Sequence, residues 1–381
     1  MISIVFYTNF INHHQLLLAD ELYLLTNHNF VLVEIQPMFE WLKKNGYSDF
    51  SSRPYVIQAW KDNIQRQKAW ELCVSADVAL FGADSLNYQV ERAKSGKLSF
   101  EVSERWLKRG LINVFSPRLL KNMWFYHTLF YKKPVYKLCS SAYAAGDQYK
   151  LHSYRDKCYK WGYFTKVEDL DIAAVVENRT CSSIKIMWCS RFIKWKHPEM
   201  PIKLAAKLKD KGYDFVIDMY GCGSLLQNAK LLANKLEVKD YVNFCGNLPN
   251  EQILQQMRLH DIFLFTSDKN EGWGAVANEA MSNGCVLVAS NEIGCIPFLV
   301  EDNVNGCIYK SGNLVSLTEK VEHLISSPED RKRVAINAYN TLMNIWSPKN
   351  AAENLLTLID DLNQGRDSSI LEGPCSIALP I

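Results

Sequence analysis

The chain has 381 residues, 48% of them hydrophobic and 22% charged, with a formal net charge of +2. That length exceeds what one core usually fills and predicts two domains, while the near-neutral balance excludes a general nucleic-acid binder, which carries a strong basic excess. No apolar stretch reaches the roughly 18–20 residues of a membrane-spanning helix, the opening MISIVFYTNF has no basic stretch before its short apolar run, and the eleven cysteines form no C-x-x-C pair. The expectation is a cytoplasmic protein with reduced thiols and no metal centre.

In chain order, an apolar strand is predicted over 2–7, a helix over 14–25 and a strand over 30–35. A polar helix over 58–75 leads into ADVALFGAD, a buried strand ending in Gly and Asp, and further strands follow at 98–102 and 135–138. Residues 165–183 turn polar and irregular. A second series then alternates SIKIMWCS, PEMPIKLAAKLKDKG, DFVIDMYG, GSLLQNAKLLANKLEV, YVNFCG, DIFLFTS, AVANEAMSNG and CVLVAS. Strands alternating with helices imply an α/β protein with parallel sheets. The expected organisation is an amino-terminal domain over 1–165, a linker over 166–183, a second domain over 184–348, a helix over 349–364 and an aperiodic tail over 365–381. Ligands of such sheets sit at the carboxyl ends of the strands.

Chemistry concentrates in EGWGAVANE, where Glu271 lies in a glycine-flanked loop and Glu279 in the helix that follows. Loop N–H groups and a helix start favour a diphosphate, and two carboxylates facing one cavity accept hydrogen bonds from the vicinal hydroxyls of a sugar and a ribose. Gly221-x-Gly223 lacks the third glycine of a dinucleotide fingerprint, which argues against a nicotinamide enzyme. Asp169-Leu170-Asp171 has the spacing of a metal-holding pair but falls in the linker rather than after an apolar strand.

Four segments follow one another over 184–309: WCSRFIKWKHPEMPIKLAAKL, MYGCGSL, VNFCGNLPNEQI and TSDKNEGWGAVANEAMSNGCVLVASNEIGCIPFLVEDNVNGCIY. Together they resemble the retaining glycosyltransferases of family 4. The resemblance implies the GT-B fold, with two Rossmann-like domains facing each other across a cleft and the last helix crossing back to the first domain. It implies that Arg191 and Lys196 neutralise the leaving diphosphate without a metal, that Glu271 holds the donor sugar, and that Glu279 holds the ribose. The backbone of Gly272, Trp273, Gly274 and Ala275 would lie against sugar and phosphates, with Gly221 at the glycine turn and Gly246 and Asn247 along the base. The Trp273 ring reads equally as core filling or as a platform for a sugar face.

The first half matches less well. The loop after the first strand lacks the family's glycines and offers Asn12, His13, His14 and Gln15 at a helix start, as caps or as contacts to donor and acceptor. The family's amino-terminal histidine has no counterpart after VALFGAD or LSFEVSERW; Glu104, Arg105 or His127 are the substitutes on offer. RLLKNMWFYHTLFYKKPVYK mixes aromatics with Lys121, Lys132 and Lys133, which fits core packing with a solvated edge or a helix lying on the inner face of a membrane. The resulting expectation is a metal-independent, retaining transferase without a cofactor, moving a sugar from a UDP- or GDP-linked donor to a saccharide or lipid-linked acceptor in surface polysaccharide or glycoconjugate synthesis. A catalytically silent scaffold subunit and a sugar-nucleotide epimerase remain the competing readings.

Overall fold

Short apolar runs with no polar alternation belong to strands covered on both faces, which is the signature of a parallel sheet. A computed structural model, describing residues 2–39, 50–179 and 183–381, places them so. Residues 180–182 of the expected linker lie outside the described residues. The chain divides into two units, one comprising Met1–Lys166 with Trp346–Ile381 and the other Val167–Ile345.

The first unit carries strands β1 (Ile4–Thr8), β2 (Phe30–Glu34), β3 (Val56–Gln58), β4 (Val78–Phe81), β5 (Ser99–Ser103), β6 (Val135–Cys139) and β7 (Cys158–Lys160). They pair in parallel in the order β3-β2-β1-β4-β5-β6-β7, so the order reverses between β1 and β4, where open sheets form a ligand crevice. Helix α1 (His13–Leu25) follows β1 and buries Leu16, Leu18, Ala19 and Leu22. Gln58 closes β3 rather than opening a helix; α2 (Asn63–Ser75) starts where the Asp62 side chain accepts the Gln65 N–H at 2.8 Å. Next come α3 (Leu86–Ser95), α4 (Pro117–Phe125) running into a π-helical turn (Tyr126–Phe130), and α5 (Ala144–Lys150).

The second unit carries α6 (Ile172–Glu177), β8 (Ile184–Cys189), α7 (Glu199–Asp210), β9 (Phe215–Tyr220), α8 (Leu226–Lys235), β10 (Val242–Gly246) and α9 (Asn250–Leu259). After these come β11 (Ile262–Phe265), α10 (Val276–Ser282), β12 (Val286–Ser290), α11 (Ile296–Leu299), β13 (Cys307–Tyr309), α12 (Leu314–Ser326) and α13 (Pro328–Asn344). Its parallel sheet runs β10-β9-β8-β11-β12-β13, reversing between β8 and β11. Ile186, Trp188, Ile217, Met219, Ile262, Leu264, Val286 and Val288 supply its buried core. The stretch expected as an irregular linker contains α6, and Asp171 of the Asp-x-Asp pattern caps it by accepting the Ala174 N–H at 3.1 Å. The Tyr339 hydroxyl on α13 donates to the Glu168 carbonyl at 2.7 Å and accepts from Leu170 N at 3.0 Å, which holds this stretch to the second unit.

The carboxyl-terminal segment completes the first unit. Helix α14 (Pro348–Asn363) starts at a Ser347 cap and buries Ala351, Ala352, Leu355, Leu358 and Ile359, packing against α1. The tail is ordered: Cys375 N donates to the Lys160 carbonyl at 2.7 Å, and Ile377 bridges Tyr159 in antiparallel sense along the β7 edge.

Candidate active site

In the second unit the loops following β8 and β11 leave the sheet on either side of its reversal, and their backbones are stitched together. The Asp268 N–H donates to the Trp195 carbonyl at 3.0 Å, and the Thr266 hydroxyl donates to the Lys196 carbonyl at 2.7 Å while accepting the Trp188 indole N–H at 2.9 Å. His197 adds a third tie, its imidazole lying 2.9 Å from Glu199 and 3.3 Å from Asp268. These carboxylates raise the His197 pKa above the ordinary 6.5, with the Glu199 hydrogen bond the largest cause. His197 also has a left-handed backbone, φ 49°, a conformation costly for a residue with a Cβ, so the side-chain contacts hold a turn that local propensity does not favour.

This stitching brings Lys196 into an ion pair with Glu271, both side chains largely enclosed. Arg191 is exposed, its guanidinium carbon 5.6 Å from the centre of the Trp195 ring. Glu279, in the first turn of α10, accepts the Asn250 side-chain N–H at 2.9 Å. Surrounding protein raises its pKa while the Asn250 hydrogen bond opposes the rise; part of the side chain still reaches solvent. The Cys189 thiol nearby is pushed up to about 12, by burial first and the Glu279 charge second, so it stays protonated.

Glycines admit the next loop. Gly221 has φ 124° and Gly223 φ 152°, and a Cβ on either would strike the Ser190 or Phe192 backbone, so the turn after β9 lies directly against the Arg191 loop. Gly221 N donates to the Gly246 carbonyl at 2.6 Å, which draws in the exposed Gly246 and Asn247. Gly272, Gly274 and Ala275 continue the loop from Glu271 to α10; Gly274 has φ 91°. The Trp273 ring is buried with its indole N–H 2.9 Å from the Asn278 side-chain oxygen, so it packs in the core and only its backbone belongs to the loop surface. His197, Asp268, Glu199 and Asn250 were not singled out in the sequence; only a His beside the Lys of the loop hinted at the first.

The first unit holds a cavity of about 1050 Å³ at the carboxyl ends of its strands. Asn12 and Gln15 line it but also form a reciprocal cap on α1, the Asn12 side chain accepting His14 N and the Gln15 side chain accepting Asn12 N. His14 lines the cavity and His13 does not. Burial, then the His13 charge, depresses the His14 pKa to about 3, so the ring is neutral. Among the described residues its Nδ1 has no hydrogen-bond partner, nor do Gln89 Nε2 and Ser140 Oγ in the same cavity. Glu104 pairs with Lys108 and accepts the Tyr163 hydroxyl at 2.8 Å; Arg105 is held by Asp147 at 2.9 Å. His127 points elsewhere, its ring 3.3 Å from the Leu151 carbonyl.

The glycosyl transferases group 1 model matches residues 178–341. An uncharacterised glycosyltransferase of Methanocaldococcus jannaschii is 24% identical over 52% of this chain and 50% of its own. The amylovoran biosynthesis glycosyltransferase AmsK of Erwinia amylovora is 28% identical over 41% of this chain and 39% of its own. The chain thus spans half or less of the length of these curated relatives. Among solved structures, Anabaena HepE in complex with UDP superposes with a TM-score of 0.69 over 95% of this chain and 100% of that one at 15% identity, and HepE has also been solved with UDP-glucose. The fold is the GT-B arrangement of two parallel-sheet units shared with these solved structures, and the segment that matches the glycosyl transferases group 1 model, residues 178–341, carries the Lys196–Glu271 pair.

Proposed function

We propose that the protein transfers a sugar from a nucleoside diphosphate sugar, UDP- or GDP-linked, to a hydroxyl of a saccharide or lipid-linked saccharide, with retention and without a metal. The observation that carries this reading is the junction of Lys196, Glu271 and the glycine turn at the reversal of the second sheet. When the glycosidic bond of a donor breaks, charge gathers on the leaving diphosphate, and fixed cations placed where it gathers lower the barrier. Lys196 supplies a compact charge and Arg191 a planar fork for phosphate oxygens. Glu279 accepts from the ribose hydroxyls through the lone pairs that Asn250 leaves open, and Glu271 accepts from the donor sugar once Lys196 turns to phosphate. Gly221, Gly246 and Asn247 border the base, and the loop from Gly272 to Ala275 borders the sugar.

The unpartnered polar atoms of His14, Gln89 and Ser140 support an acceptor role for the cavity of the first unit, because buried polar groups without partners cost about 1–3 kcal/mol each and a polyhydroxylic acceptor would satisfy them. AmsK, named for amylovoran biosynthesis, supports placing the product in surface polysaccharide synthesis. The test is incubation of the purified chain with UDP- and GDP-sugars and saccharide acceptors in excess chelator, with the anomeric configuration of the product read by NMR. Turnover that needs a divalent cation, or an inverted product, would overturn the metal-free retaining reading; donor consumed without any acceptor would indicate hydrolysis or epimerisation instead.

A further inference from the structure

The segment 107–125 is apolar on two sides. Its inner side packs Leu107 and Leu119 with Leu151, joined by Trp106, Val114 and Met123. Its outer side nevertheless presents Leu111, Ile112 and Phe115 at 66, 69 and 80% exposure, followed on α4 by Leu120 at 49% and Trp124 at 61%. Leu120 and Trp124 are four residues apart and share a helix face. Single exposed apolar residues are ordinary, but a contiguous group of this kind marks an interaction surface.

Charge identifies the occupant. Between Glu104 and Asp147 the sequence contains no acidic residue, yet it holds Arg105, Lys108, Arg109, Arg118, Lys121, Lys132, Lys133 and Lys137. Arg105, Lys108 and Lys137 are taken up by Asp147, Glu104 and Glu101. Arg109, Lys121 and Lys132 are exposed on the same stretch, whereas Arg118 lies 3.9 Å from the exposed Asp84. Exposed apolar side chains on a stretch that carries cations and no acid of its own match the boundary between acyl chains and anionic headgroups. Among the described residues no helix is long and apolar enough to cross a membrane, so the match is to a surface rather than a span.

We propose that residues 109–132 dock the first unit onto an anionic lipid bilayer, with Leu111, Ile112, Phe115 and Trp124 entering the interface and Arg109, Lys121 and Lys132 meeting the headgroups. The same segment walls the acceptor cavity through Asn113, Pro117 and Asn122, so docking would set that cavity beside membrane-borne acceptors. This last consequence rests on the proposed transferase reading; the docking itself does not.

The experiment is flotation of the full chain, without donor or acceptor, with phosphatidylcholine vesicles containing or lacking phosphatidylglycerol. The wild type should float with the anionic vesicles and lose binding as salt rises. Arg109→Glu/Lys132→Glu should lower the partition coefficient by about 25-fold or more, from roughly fivefold per basic residue. Phe115→Ser/Trp124→Ser should weaken binding at every salt concentration while leaving the thermal transition in place. No flotation of the wild type, or flotation unaltered in both variants, overturns the proposal. So does a wild-type dimer that ignores vesicles and that Phe115→Ser/Trp124→Ser converts to monomer, which would assign the face to a second copy. Because no substrate is present, failure of the transferase reading would leave this result untouched.

Discussion

Glu271→Gln should separate nucleotide binding from transfer. The Lys196 ammonium is paired with Glu271, and the two side chains are only 12 and 16% exposed. A diphosphate must therefore draw Lys196 away from Glu271 while itself approaching the negative charge of that same carboxylate. Two unit charges interact by about 4 kcal/mol at 4 Å with an effective dielectric near 20, and so by about 2 kcal/mol at twice that separation. Removing the Glu271 charge relieves a repulsion of that order, and Gln keeps the shape and an acceptor oxygen for the loop. Allowing for screening, a nucleoside diphosphate should bind roughly tenfold tighter, or about 1.4 kcal/mol. Transfer should fall by roughly 100-fold or more, the usual loss when one polar group aligned with the reacting centre is removed. Isothermal calorimetry with UDP and GDP measures the first number and initial rates with the matching donor the second. Equal weakening of both, or unchanged nucleotide affinity, would show that the Lys196–Glu271 pair is a structural tie and that the reasoning is wrong.

Glu279→Gln removes a carboxylate whose pKa burial raises, so the variant should be more stable near neutral pH yet bind nucleotide about tenfold or more weakly, since charge-assisted hydrogen bonds contribute about 1.5–3 kcal/mol; paired melting curves with and without UDP check both signs. His197 contributes stability through a raised pKa, present below 6.5 and lost as pH rises through its folded value. His197→Gln should flatten the alkaline limb of both stability and nucleotide affinity, as read by melting and binding between pH 6 and pH 9. Lys137 is fully buried against Glu101, Ser103 and the Trp106 ring. Lys137→Met should destabilise the first unit by about 3–5 kcal/mol, because it strands a buried carboxylate, and chemical unfolding followed in the first unit measures it. Burial pushes the Glu101 pKa up, but Lys137 and neighbouring hydrogen bonds bring it below the ordinary value; its contribution is present above about pH 4.5 and lost as pH falls through the lower folded value, so an acid titration of the wild type should show a steeper loss than that of Lys137→Met/Glu101→Leu.

Much of the second unit was legible because its strands are short apolar runs closed by Gly or polar residues, and its functional loops carry glycines at positions that require them. Gly221 and Gly223 illustrate this: their φ values are open to few other residues, and the sequence marks them. His197 illustrates the opposite. It adopts a left-handed turn by virtue of Glu199 and Asp268, and Asp268 is 71 residues away, beyond any periodicity. Arg92 was not singled out either, although it is fully buried and donates to the carbonyls of Cys73, Ala76, Asp77 and Leu98. The stretch 165–183 read as a tether because its polar residues lack a period; Tyr339 and the Asp171 cap supply the tertiary ties that make part of it a helix. In the first unit the cap formed by Asn12 and Gln15 was local and readable, whereas the orphaned atoms of His14, Gln89 and Ser140 converge from three different elements.

The first unit is sewn from both flanks of the second. Helix α14 lies on α1 and the tail lies along β7, with the Ile381 backbone against Gly146 of α5, so residues made more than 300 positions apart in the chain share one core. During synthesis, domains ordinarily fold as they emerge, amino-terminal first. Here the order is inverted: the stretch Val167–Ile345 holds all of its own unit and is released whole, while the earlier-made sheet must wait, with the α1 surface uncovered, until residues 346–381 clear the ribosome. A chain that lacked residues from Trp346 onward would thus hold a complete second unit beside an unsealed first one, which makes the interval between the completion of the two units the period in which a chaperone has most to protect.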